Sequence, residues 1–141
     1  MDVADVMSGE VEFIAPDATV QQAAEMMGEL DVGGLPVGSA AGLLGVVTDR
    51  DLLYRVVAAG RDPASMRVRD AMSSPALSCR VTDDLRVAMD LMAAQNIRRL
   101  AVLDAAGSVV GWVTLADLAR RLLVDSDTVQ QALRAATEQP A

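Results

Sequence analysis

The feature that most constrains this chain is a pattern made twice, Gly-x-x-Thr-x-x-Asp. It stands as Gly45-Val46-Val47-Thr48-Asp49-Arg50-Asp51 and again, 66 positions on, as Gly111-Trp112-Val113-Thr114-Leu115-Ala116-Asp117. The match extends well beyond it. At an offset of 65, Val3, Asp5, Met7 and Ser8 fall on Val68, Asp70, Met72 and Ser73. Ala23 and Met27 fall on Ala88 and Met92, and Leu35 and Val37 on Leu100 and Val102. One extra residue in the second hairpin loop then sets Leu43–Leu52 against Val109–Leu118. Such a unit cannot bury its apolar face alone, so the two copies must pack on one another.

Periodicity places the elements. In the first copy, Val11–Ala15 is predicted as a short strand ended by Pro16-Asp17. Thr19 stands as N-cap with Gln22 three residues on, a capping-box spacing. Val20, Ala23, Ala24, Met27 and Leu30 make one helical stripe, which Gly33-Gly34 closes. Leu35–Val37 and Leu43–Val47 form a hairpin. Asp49 to about Ala59 is a helix, stopped by Gly60 and Pro63. The second copy repeats this with a strand at Leu77–Arg80, a cap at Asp84 and a stripe of Leu85, Ala88, Met89 and Met92. Strands at Leu100–Leu103 and Val109–Val113 and a helix at Leu115–Leu123 follow. The expected fold is therefore α/β (α+β): two β-α-β-β-α repeats related by a pseudo-twofold axis, residues 1–63 and 64–124. Residues 125–141 add a C-terminal helix, about Thr128–Ala136, and a tail. Its Val129, Ala132, Leu133 and Ala136 suit docking on the body or on a second subunit.

Composition narrows the function classes. Apolar residues are 52% of 141 but aromatics only 2%, so the core is aliphatic. Net charge is −8 and all 12 basic residues are Arg. An acidic chain repels phosphodiester backbones and anionic lipid, so neither nucleic acid nor membrane is an expected partner. A local Arg cluster can still hold a small anion. With one cysteine there is no intramolecular disulfide. With no His there is no Cys2His2 metal site and no Ser-His-Asp triad, and no metal-ligand cluster is legible. The chain reads as a non-enzyme. No signal-peptide pattern and no apolar run near 18 residues occur, so the expected location is cytoplasmic.

The doubled motif, the paired openings Asp5-Val6-Met7 and Asp70-Ala71-Met72, and Leu35-Pro36-Val37 with Leu100-Ala101-Val102 resemble the CBS-domain family, tandem pairs of which form a Bateman module. The resemblance covers about residues 3–123. Thr48-Asp49-Arg50-Asp51, Ala59-Gly60-Arg61-Asp62-Pro63 and Ile97-Arg98-Arg99 look most like stand-alone bacterial two-CBS proteins, including the actinobacterial hypoxic-response type. The resemblance implies a non-catalytic regulatory module with no required cofactor. Its implied ligands are AMP, ADP, ATP or S-adenosylmethionine, bound in clefts between the repeats. It also implies a flat homodimer whose output passes through an effector protein. The rival reading is a structural, partner-binding dimer that binds no nucleotide.

Thr114 and Asp117 read in two compatible ways. As a capping box they finish a helix and need no ligand. As a ligand site, the threonine hydroxyl and helix N-terminus face a phosphate, and the carboxylate accepts from two ribose hydroxyls. Thr48 and Asp51 are the matching pair. There Asp49 adds a negative charge beside the phosphate position, which Arg50 offsets. By resemblance, Arg98 and Arg99 lie near the phosphates, where the first copy has only Gly33-Gly34. Arg98, Arg99, Thr114 and Asp117 together are thus the expected better anion site. For adenine, the resemblance points to Ser74, Pro75 and Ala76, to Gly9 and Val11, and to walls at Ile97 and Val32. Arg120-Arg121 reads as a helix-dipole partner, and Trp112 and Cys79 as core.

Overall fold

A computed structural model of the chain describes residues 1–138. After a 3-10 turn at Val3–Asp5 come α1 (Val20–Leu30), β1 (Gly34–Gly38), β2 (Leu43–Thr48) and α2 (Asp49–Leu52), which continues as a π-helical turn, Leu53–Val57. Next are α3 (Val68–Ala71), β3 (Ser78–Arg80), α4 (Leu85–Gln95), β4 (Arg99–Leu103), β5 (Val109–Thr114), α5 (Leu115–Val124) and α6 (Asp127–Glu138). The α+β architecture of two matching copies and a final helix stands as expected. The side chains of Val129 and Leu133 lie outside the described residues, while Ala132 and Ala136 are exposed. No helix among the described residues is long and apolar enough to cross a membrane.

Three local expectations are corrected. Val11–Ala15 forms no strand. Only Ile14 is buried, and it alone bridges β1, its N–H donating to the Pro36 carbonyl at 3.0 Å. The first sheet is thus β1-β2, while the second is β3-β4-β5, with β3 parallel and β5 antiparallel to β4. Gly33-Gly34 does not end α1. Asp31 does, in the left-handed conformation (φ 54°), as Asn96 does for α4 (φ 53°). Short Asx side chains tolerate that conformation where a helix stops. The helix from Asp49 is α for one turn and π thereafter, and helical structure ends at Val57 rather than Ala59.

The two copies exchange their opening segments. Val3 is fully buried in the core of the second copy with Leu85, Met92, Leu100, Val113 and Leu118. Val68 is fully buried in the core of the first, with Leu35, Val37 and Val47. Backbone hydrogen bonds fix both crossings. Val3 N–H donates to Asp83 and Val68 N–H to Ala18, each at 2.8 Å. Ser8 and Trp112 exchange a pair of bonds on the open side of β5, as Ser73 and Val46 do on β2. Each crossing segment thereby covers a strand edge that would otherwise be unpaired. It also explains the motif glycine: a β-carbon on Gly45 would sit 2.5 Å from the Ser73 carbonyl oxygen.

Candidate functional site

Both Thr-x-x-Asp turns form complete capping boxes. Thr48 Oγ1 accepts from Asp51 N–H at 3.1 Å, and Asp51 Oδ2 accepts from Thr48 N–H at 3.0 Å. At Thr114 and Asp117 both bonds are 3.1 Å. Local sequence therefore builds the same turn twice. What stands around the two turns differs.

Around the first lies a cleft of about 550 Å³, within the range of small-molecule sites. Its walls come from both copies. Val46, Thr48, Asp49, Arg50 and Asp51 form the β2–α2 turn, and Tyr54 and Arg55 the π turn. Ser73, Pro75, Ala76 and Leu77 come from the crossing segment, and Asn96, Ile97, Arg98 and Arg99 from the approach to β4. Pro75, Ala76, Leu77 and Ile97 make an apolar wall. Four arginines face two aspartates, a local net charge of +2 in a chain of −8. The cleft therefore presents an anion-attracting side and an apolar side in an otherwise acidic molecule.

Asp51 is the most tightly held acid in the cleft, at 8% exposure. Its Oδ1 accepts from the Ser73 hydroxyl at 3.1 Å and lies 3.9 Å from Arg55 Nε. Arg55 in turn donates to the carbonyls of Ala71 (3.3 Å) and Met72 (2.9 Å), tying the π turn to the crossing segment. Arg50 stacks over the Tyr54 ring, 5.3 Å from its centre, so its charge is anchored beside the opening.

The expected grouping of Arg98 and Arg99 with Thr114 and Asp117 is corrected. Leu115 N–H does donate to the Arg98 carbonyl, at 2.8 Å, but both arginines line the cleft of Thr48 and Asp51. The reason lies at Gly33 and Gly34. Their missing side chains leave room into which the Arg99 side chain extends, toward Asp49. The residues read as bare in the first copy are thus covered by an arginine of the second. Asp117 instead faces a shallow groove with Asp5, Val6, Arg120, Arg121, Val124 and Asp125.

Of the other expected residues, Ala76, Ile97, Thr48, Asp51 and Arg50 line the cleft, while Ser74, Val11, Val32 and Thr114 do not. The Ser74 hydroxyl donates to the Leu44 carbonyl at 2.9 Å, and Val32 is 41% exposed. Tyr54, Arg55, Ser73 and Asn96 were not singled out from sequence. Arg55 had a usable signal, standing one helical turn beyond Asp51. Ser73 had another, being the repeat partner of Ser8. Cys79 packs in the second core. Burial, with the Asp83 carboxylate adding, pushes its thiol up to about 11, the opposite of a reactive cysteine. Among the described residues no cluster of His, Cys, Asp and Glu could hold a metal ion.

Comparison with known proteins bears on this geometry. The family model for the CBS domain matches residues 3–58 and 68–124. The CBS domain-containing protein YhcV of Bacillus subtilis is 39% identical over 117 residues, 83% of this chain and 82% of its own length. Hypoxic response protein 1 of Mycobacterium tuberculosis is 31% identical over 119 residues, 84% of this chain and 82% of its own. A crystal structure of CBSX2 in complex with AMP superposes with a TM-score of 0.71 at 30% identity, covering 86% of this chain and 96% of that one.

Proposed function

The chain belongs to the CBS-domain family, and on that premise we propose that it is a non-catalytic regulatory module that binds an adenine nucleotide between its two copies. The observation that carries this reading is a cleft with an apolar wall and an arginine-rich side, built by both copies. Pro75, Ala76 and Ile97 receive the adenine. Asp51 accepts from the ribose hydroxyls; each carboxylate oxygen has two lone pairs, so its bonds to Thr48 and Ser73 leave capacity. Arg98, Arg99 and Arg50, with the Thr48 hydroxyl, face the phosphates. The AMP complex of CBSX2, similar in fold and sequence, supports the ligand class. A ligand that touches both copies alters how they pack, and that change is the signal passed to an effector protein.

The test is thermal unfolding with AMP, ADP, ATP and S-adenosylmethionine in turn, on wild type, Asp51→Ala and Asp117→Ala. A ligand at 100 times its Kd adds about 2.7 kcal/mol, roughly 5–10 °C for a domain of this size. The expected result is a shift lost in Asp51→Ala and kept in Asp117→Ala. No shift with any ligand, in a folded protein, overturns the reading.

One observation favours a second reading, a partner-binding dimer. Leu53, Tyr54 and Val57 are exposed on the helix of the first copy, and Leu122, Leu123 and Val124 on the matching helix of the second. Sedimentation equilibrium at micromolar concentration checks it: a dimer that shows no nucleotide shift supports it, and a monomer removes it.

A further inference from the structure

Asp49 is the residue of the cleft that a phosphate site would least be expected to hold, and the structure shows where its carboxylate goes. Asp49 N–H donates to the Gly33 carbonyl at 2.9 Å, and Asp49 Oδ1 accepts from Arg50 N–H at 2.8 Å. These two bonds aim the other oxygen at Gly33. Asp49 Oδ2 lies 2.9 Å from the place a β-carbon on Gly33 would take, and Arg99 Nη2 lies closer still to the same place. The carboxylate from the first copy and the guanidinium from the second therefore meet over a glycine. No direct ion pair joins them among the described residues, yet both line the cleft. Opposite charges this near attract, though only modestly where one of them is open to water.

We propose that Asp49 is an internal competitor for Arg99, a specificity-determining residue that sets how much negative charge a ligand must bring. The proposal rests on the nucleotide reading above for the rest of the ligand. A guanidinium holds a carboxylate and a phosphate by the same fork of donors, so Arg99 divides its donors between Asp49 and the ligand. A neutral ligand such as adenosine gives Arg99 no reason to turn from Asp49. A single phosphate competes weakly. A di- or triphosphate offers the guanidinium more charge than Asp49 does and wins it. Asp49 thus sets the charge at which Arg99 leaves it for the ligand, and that move from one copy's carboxylate to the ligand couples binding to the seam between the copies. The copies differ here, because Leu115 stands at the position matching Asp49. The device belongs to this cleft alone among the two turns.

The test is calorimetric titration of the full chain with AMP, ADP, ATP and inorganic tripolyphosphate. It uses wild type, Asp49→Asn, Arg99→Ala and the double variant. Asparagine keeps the Oδ1 acceptor for Arg50 N–H and leaves the Thr48–Asp51 box untouched, so Asp49→Asn should fold, which its unfolding midpoint checks. Wild type should bind ATP more tightly than AMP. Asp49→Asn should tighten ATP by roughly tenfold, the scale of one close charge pair at a wet surface, and AMP by less, and so widen the gap between AMP and ATP. That gain should vanish in the Arg99→Ala background. A gain that persists there unchanged, or no gain at all, overturns the proposal. Tripolyphosphate separates the two readings. If Asp49→Asn tightens tripolyphosphate through Arg99 while nucleotides bind no better than it does, the competitor stands and the adenine reading falls. If Asp49→Asn and wild type treat tripolyphosphate alike, the competitor falls whatever the nucleotides do.

Discussion

The Ser73 hydroxyl donates to Asp51 Oδ1 at 3.1 Å, whereas its repeat partner Ser8 donates to the carbonyl of Glu10. The same parting of ways runs through the arginines. Arg55 lies 3.9 Å from Asp51, while its counterpart Arg121 turns to Asp125, the residue that caps the end of α5. The Asp51 side chain is left 10% exposed and that of Asp117 32%. Two residues with the same local role are thus held in different surroundings.

The first prediction follows from that difference. Asp51→Ala should weaken AMP binding by about 1.5–3 kcal/mol, the scale of hydrogen bonds to a charged group, or roughly 10- to 150-fold. Asp117→Ala should leave it unchanged. Calorimetric titration of both variants checks this, with unfolding midpoints to show that the lost cap has not unfolded Asp51→Ala. Equal losses would mean that both turns bind.

Val3 stands third in the chain but packs wholly inside the second copy. Val3→Ala should cost roughly 1–3 kcal/mol, the transfer and cavity cost of a buried valine, and Val68→Ala a similar amount. Urea denaturation measures both. A cost near zero for Val3→Ala would mean that the opening segment does not dock as described.

Glycine substitutions should separate close approach from mere occurrence. In Gly45→Ala the new methyl meets the Ser73 carbonyl oxygen at 2.5 Å and Met72 Sδ at 3.0 Å. The crossing segment must shift, at a cost of about 1–3 kcal/mol. Gly9→Ala meets nothing within 4 Å and should fall within about 0.5 kcal/mol of wild type, as surface changes do. The two unfolding curves, side by side, decide whether the strand edge is closed by residues 72 and 73.

Cys79 makes a pH prediction. Its folded pKa is raised from 9.0 to about 11 by burial, so between those values the folded state binds more protons than the unfolded. Stability then falls as pH rises through that window, by at most about 1.4 kcal/mol per unit, and is unaffected below it. Cys79→Ala should remove this part of the alkaline slope. A native thiol that reacts promptly with a disulfide reagent at pH 8 would contradict the burial.

Much of this was legible in the chain, for reasons that are local. Thr19 with Gln22, Thr48 with Asp51 and Thr114 with Asp117 cap helices through atoms three residues apart, so spacing alone suffices. Apolar period and the doubled pattern yield two matching copies, because a stripe such as Leu85, Ala88 and Met92 must find another face to bury. The cores at Leu35, Val37, Leu100 and Val102 follow from the same pattern.

Only the tertiary structure decided which halves of the repeat meet. Repetition along the chain makes residues 33–34 and 98–99 equivalent, and equivalence cannot say that Arg99 will lie over Gly33 and beside Asp49. It cannot say that Val3 serves the second core and Val68 the first, since either valine satisfies either apolar face by composition. Ile14 shows the same limit at smaller scale: a run that reads as a strand makes one bridge, because one residue of it is buried. Capping depends on neighbours in sequence. A cleft depends on neighbours in space, and the crossing of the two copies chose these.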